Sequence, residues 1–157
     1  MARLLLTILL WLTGATAAFA QPSWQEIDQP PHNYQQRTPQ DQFTRLKQDL
    51  ESGRIPLDHG DEKAFVVSLL KALGIAPSSQ MLVFSTTSLQ LSLISPSNPR
   101  ALYFNEDLYL GYVPRGRIEI VSLDPELGGI FYIFDIPRDA QPPRVERSER
   151  CMNCHAG

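Results

Sequence analysis

Cysteine is scarce in this chain: there are two, beside three histidines and three methionines, in 157 residues. A disulfide between the two cysteines would close only a very short loop and stabilise little. A zinc site needs four ligands as a rule, and the residues around the cysteines offer three. Charge of either sign is also in short supply. The net charge is −3 with no block of like charge, which argues against nucleic acid as a partner. No repeat of fixed period occurs. Beyond the first twenty residues no apolar run is long enough for a membrane span, so no stable span is expected once that segment is removed.

The scarce residues are concentrated in one place. Cys151-Met152-Asn153-Cys154-His155 contains both cysteines, three positions apart, with a histidine next in line. This C-x-x-C-H spacing is that of covalent haem attachment. Two thiols must reach two vinyl groups on neighbouring pyrroles of one porphyrin, and cysteines three apart share one face of a helical turn. The following imidazole, His155, can then bind iron as the proximal ligand. The expected cofactor is haem c, with Cys151 and Cys154 as thioethers. A thioredoxin-like C-x-x-C would open a helix inside a βαβ unit, and nothing upstream reads as one. A dithiol role for the pair stays open as an alternative.

The start of the chain reads as an export signal. Arg3 is a short basic lead, an apolar run from Leu4 to Leu12 follows, and Ala18-Phe19-Ala20 has the A-x-A cleavage pattern. Residues 1–20 are therefore expected to be removed, leaving a chain of charge −4 once Arg3 is lost. Bacterial haem attachment takes place outside the inner membrane, so the two signals agree on the periplasm.

Residues 21–37 are rich in glutamine and proline and predict an extended leader, with Trp24 and Tyr34 able to dock on the body. Within it, His32 reads as a solvated side chain. Residues 38–136 read as an α+β domain. Thr38 as N-cap and Pro39 as first helical residue open a helix with Phe43, Leu46 and Leu50 on one face, ended by Ser52-Gly53. A second helix runs from the acidic turn after His59 through Phe65, Leu69 and Leu73 to Gly74. His59, beside several acids, is a candidate metal ligand, although a surface turn histidine reads more simply.

From Gln80 the pattern changes to strands. Met81–Phe84 reads as a buried strand, and Leu89, Leu91 and Leu93, alternating with Gln90, Ser92 and Ile94, as a half-buried one. Met81 is thus expected in the core. Further strands are read at Ala101–Phe104, Leu108–Val113, Ile118–Val121 and Ile130–Ile136, joined by short turns. The fold class is two N-terminal helices followed by a mainly antiparallel sheet, ending in the first turn of a haem-attachment segment. Asn105, Glu106 and Asp107 form a polar cluster that reads as a turn before it reads as a cation site. Residues 137–157 read as a charged linker plus the attachment motif. In that linker Arg138, Arg144, Arg147 and Arg150 bring positive charge suited to haem propionates.

Cys151–His155 resembles the haem site of c-type cytochromes. The run Tyr103–Val113, leading on to it, is similar to a group of uncharacterised secreted proteins with cytochrome c domains. The first resemblance implies thioethers at Cys151 and Cys154 and iron ligation by His155; the second lends no mechanism. Only Ala156 and Gly157 follow His155, so the expectation is a β-rich module plus the opening turn of a truncated haem domain. The alternative is an exposed, five-coordinate or bis-His haem shared with a partner. Three functions follow: single-electron transfer with a redox partner protein, a haem-bearing ligand-binding or redox- and gas-sensing module, or a C-x-x-C thiol oxidoreductase. No catalytic acid–base set is evident from the sequence.

Overall fold

A computed structural model describes residues 24–85 and 88–155 of the chain. The expected signal segment 1–20 and the first leader residues lie outside the described residues. A single helical turn, α1 (Trp24–Ile27), precedes two longer helices, α2 (Gln42–Glu51) and α3 (Glu62–Ala72).

The cap of α2 is Asp41, three residues later than Thr38, where the sequence pattern places it. Its carboxylate accepts from Thr44 N at 3.0 Å and Thr44 Oγ1 at 2.6 Å. It also accepts from the Tyr132 hydroxyl at 2.8 Å. The sheet therefore chooses the cap, because only Asp41 serves the helix and Tyr132 together. Burial pushes the Asp41 carboxyl up, but hydrogen bonds from Ser122, Thr44 and Tyr132 outweigh it and hold the group below its ordinary value. Phe43 is fully buried, its ring 4.8 Å from that of Tyr132.

Asp61 caps α3 by accepting from Ala64 N at 2.7 Å. The helix buries Phe65, Val66, Leu69 and Leu70. It ends as the glycine predicts. Gly74 takes φ +66°, its N–H donates to Lys71 O, and Ile75 N–H donates to Leu70 O. This paired closure satisfies the carbonyls of the last turn.

Six strands follow, β1 (Met81–Val83), β2 (Arg100–Phe104), β3 (Leu108–Tyr112), β4 (Ile118–Asp124), β5 (Gly128–Phe134) and β6 (Glu146–Arg147). They form one sheet in chain order, each antiparallel to the next. The chain is thus α+β with an antiparallel sheet. Alternation along the strands gives the sheet two faces. The inner face carries Leu108, Leu110, Ile118, Ile120, Ser122, Ile130, Tyr132 and Phe134, all buried. It packs on the helices: Phe43 N donates to Ser122 Oγ at 3.3 Å, and the Tyr112 hydroxyl donates to Glu62 at 2.8 Å.

The strand pattern needs two corrections. β1 is an edge strand and is not buried: Met81 and Leu82 are exposed, as is Phe84 just beyond. Met81 is therefore not a core residue. Residues 89–93 form turns instead of a strand, and their burial does not alternate as a strand's would. Gln90 is buried while Leu89 and Leu91 are exposed. Gln90 is held there by both backbone groups of Arg117, donating through Nε2 to the carbonyl at 3.0 Å and accepting the Arg117 N–H.

The leader and the linker are both tied to the body where described. Residues 28–37 run through successive turns, and Tyr34 is buried, its hydroxyl donating to Gly129 O at 2.6 Å. The segment after β5 runs back past α2. Val145 N donates to Glu51 at 2.9 Å, Pro143 and Val145 are buried, and β6 then adds to the sheet beside β5. No described helix is long and apolar enough to cross a membrane.

Candidate cofactor-attachment site

The C-x-x-C-H motif forms one helical turn, α4 (Met152–His155), entered through Cys151. Ser148, buried just beyond β6, sets its position: Ser148 N donates to Phe131 O at 2.8 Å. Backbone bonds then wind the turn, from Met152 N to Glu149 O, Asn153 N to Arg150 O, and Cys154 N to Cys151 O. α4 packs beside α1.

Successive helical residues are about 100° apart, so positions 152 and 154 face nearly opposite ways. The structure uses this. Met152 enters the hydrophobic core at 4% exposure, while Cys154 and His155 are exposed. Cys151 is half-buried. Both cysteines are free thiols. The His155 ring lies against Phe131 with centroids 4.8 Å apart and planes tilted by 32°. Cys154 and His155 thus lie on the open side of the turn, Cys151 is half-buried against the core, and the first of the two residues between the cysteines, Met152, anchors it. That arrangement fits a covalently held, histidine-ligated haem.

The two thiols differ. Cys151 Sγ donates to Ser148 Oγ at 3.3 Å. Burial pushes the Cys151 thiol above its ordinary value, by more than that hydrogen bond lowers it. A dithiol catalyst needs an activated, accessible thiolate at the leading cysteine; here the leading cysteine is the more sheltered one.

The other candidates lie elsewhere. His59 packs edge-on to Phe65 with centroids 5.6 Å apart, and its Nδ1 is buried without a hydrogen-bond partner among the described residues. It lines a cavity of about 670 Å³ with Arg115, Arg117, Arg138, Asp135 and Asp139, which no residue of α4 lines. His32 is an exposed turn residue. Among the described residues, no group of three or more His, Cys, Asp or Glu is arranged to hold a metal ion. Asn105 builds the β2–β3 turn, its Oδ1 accepting from Asp107 N at 3.0 Å and Leu108 N at 2.8 Å. Arg147 is committed to the leader: it donates to Tyr34 O at 2.6 Å and Arg37 O at 3.0 Å, and its guanidinium sits 4.8 Å above the Tyr34 ring. Arg138, Arg144 and Arg150 are exposed.

Sequence reasoning missed Phe131 and Ser148 as supports of the motif. Phe131 carries no local signal, because the fold brings it to His155 from 24 positions away, whereas Ser148 meets Cys151 locally, three positions before it. Comparison of the chain with protein-family models, with curated proteins and with solved structures finds no match.

Proposed function

We propose that the chain is an exported c-type cytochrome, which holds haem c through Cys151 and Cys154, ligates its iron with His155, and passes single electrons to a partner protein in the periplasm. The observation that carries this reading is the turn itself. Two free thiols and an imidazole at C-x-x-C-H spacing sit on one surface turn, fastened from behind by Met152.

Attachment needs no oxidant and no leaving group. Each thiol adds across a vinyl C=C, sulfur to one carbon and hydrogen to the other, to give a thioether. Bound haem supplies an iron centre that gains and loses one electron. The chain's own residues do the positioning. Met152 fixes the turn, Ser148 orients Cys151, and Phe131 limits the swing of the His155 ring. Ligation requires the His155 imidazole to be neutral at the nitrogen that binds.

The test is expression with haem-attachment machinery, followed by a denaturing gel stained for haem and intact mass. A band that stays coloured and carries one haem of added mass is expected. A colourless chain that cycles between dithiol and intramolecular disulfide would replace this reading with the thiol oxidoreductase.

A further inference from the structure

Resting on that reading, we infer that the open half of the sheet's outer face, along Phe104, Tyr109, Val121 and Phe131 with Leu123 beside them, is the seat of the haem ring tethered at α4. The strand register creates this row. Phe104 pairs with Tyr109, Tyr109 with Val121, and Val121 with Phe131. Paired residues point to the same face, so four strands contribute one line of side chains about 14 Å long. The Phe104 and Tyr109 rings stack with centroids 6.0 Å apart.

An antiparallel sheet with one packed face normally turns polar residues outward on the other. Here the outward positions of this row are aromatic and aliphatic, with Val121 half-buried and the positions beyond it open. Phe104 is 39%, Tyr109 41% and Leu123 42% exposed. The row closes towards α4, through half-buried Val121 to Phe131, which falls to 7% beside the His155 ring. The rest of the outer face is finished differently. Glu119 there is held by Arg100 at 3.0 Å and Ser88 at 2.6 Å. Met81, at the β1 edge of the same face, is also exposed, but it lies in the row of Glu119 and not in the row that begins at Phe131.

The tether identifies the occupant. A ring bound at Cys154 and ligated by His155 is kept within side-chain reach of Phe131, at a very high effective concentration. A flat apolar macrocycle held beside a flat, contiguous, exposed apolar strip covers it, and an exposed strip of this kind marks a binding surface. This seat lies within residues 104–131 together with α4, so the chain itself contributes the wall against which the ring packs.

The experiment compares the haem-loaded chain with the haem-free double variant Cys151→Ala/Cys154→Ala, using an apolar fluorescent dye, and tests Tyr109→Asp in the haem-loaded chain. The haem-free chain should bind the dye several-fold more strongly. Tyr109→Asp should keep its covalent haem but shift the Soret band and speed bleaching by peroxide several-fold. Val67→Asp, exposed on α3, should change neither. Circular dichroism checks the fold, and Tyr109→Thr repeats the test with a residue that favours strands. Equal dye binding with and without haem, together with unaltered spectra in both Tyr109 variants, would overturn the seat and leave the face to a protein partner. Absence of haem by mass from the unsubstituted chain would instead overturn the haem reading, and the seat with it.

Discussion

Met152→Ala tests whether the attachment turn is held from within. The side chain is 4% exposed and belongs to the core cluster. Alanine removes three buried heavy atoms, worth ~2.4 kcal/mol at ~0.8 kcal/mol each, and the void left behind raises the cost to ~2–4 kcal/mol. Because α4 is a single turn, this loss falls first on its docking, as local opening, and only then on the whole domain. Docking shelters Cys151 and leaves Cys154 exposed. A thiol reagent added to the reduced, haem-free chain should therefore react in two phases, Cys154 fast and Cys151 slow. Where reclosing outpaces labelling, the slow rate follows the opening equilibrium. Since ~1.4 kcal/mol is tenfold, Met152→Ala should speed the slow phase by roughly 30- to 700-fold, capped at the rate of Cys154. Met152→Leu, close in volume, should cost under ~1.5 kcal/mol, and exposed Asn153→Ala should change nothing measurable. A slow phase in Met152→Ala as slow as in the parent chain, or a parent chain with no second phase, would refute the anchoring role.

Three further outcomes are expected. Asp41→Asn should destabilise the chain by ~2–4 kcal/mol in urea at neutral pH, from a weakened helix cap and disturbed hydrogen bonding to Tyr132. The folded Asp41 carboxyl is held below its ordinary value. Its ionised form therefore stabilises above the unfolded value, and that stability is lost as pH falls through the folded one. The gap between parent and Asp41→Asn should accordingly narrow in acid, and a constant gap would count against the assignment. Arg147→Ala should lower stability by ~1–3 kcal/mol in thermal unfolding, through its bonds to the Tyr34 and Arg37 carbonyls and its contact with the Tyr34 ring. Arg147→Lys should recover only part, because an ammonium cannot fork to both carbonyls. In the haem-loaded chain His155→Ala should lose or misligate the iron, whereas His59→Ala should leave the visible spectrum unchanged.

The parts of the fold legible from sequence are those fixed by short-range periodicity. Ile118, Ile120 and Ser122 alternate with Glu119, Val121 and Leu123 because only one face meets the helices. The glycine closing α3 needs no tertiary information either. The misreadings share a cause. Leu89, Leu91 and Leu93 alternate as a strand would, yet the buried residue is Gln90, whose amide spans both backbone groups of Arg117. Met81-Leu82-Val83 is apolar enough for a core strand, but its neighbour lies on one side only. Asp41 displaced Thr38 as the cap because of a hydroxyl 91 positions away. In each case a long-range hydrogen bond or a place in the strand order overrode a local pattern.

The attachment site divides along the same line. The chemistry proposed for it rests on five residues in a row. Its setting does not, because a C-x-x-C-H turn does not state which of its sides faces the protein. That is decided at the two spacer positions, and here they are unequal: Met152 is buried and Asn153 exposed. Exchanging them would rotate the apolar anchor by about 100° and turn a different side of the helix towards the core. The identity of the first spacer thus determines where Cys154 and His155 point, and the sheet determines what they point along. A row that begins buried under His155 and opens through Val121 to Tyr109 and Phe104 is what strand pairing adds to the motif.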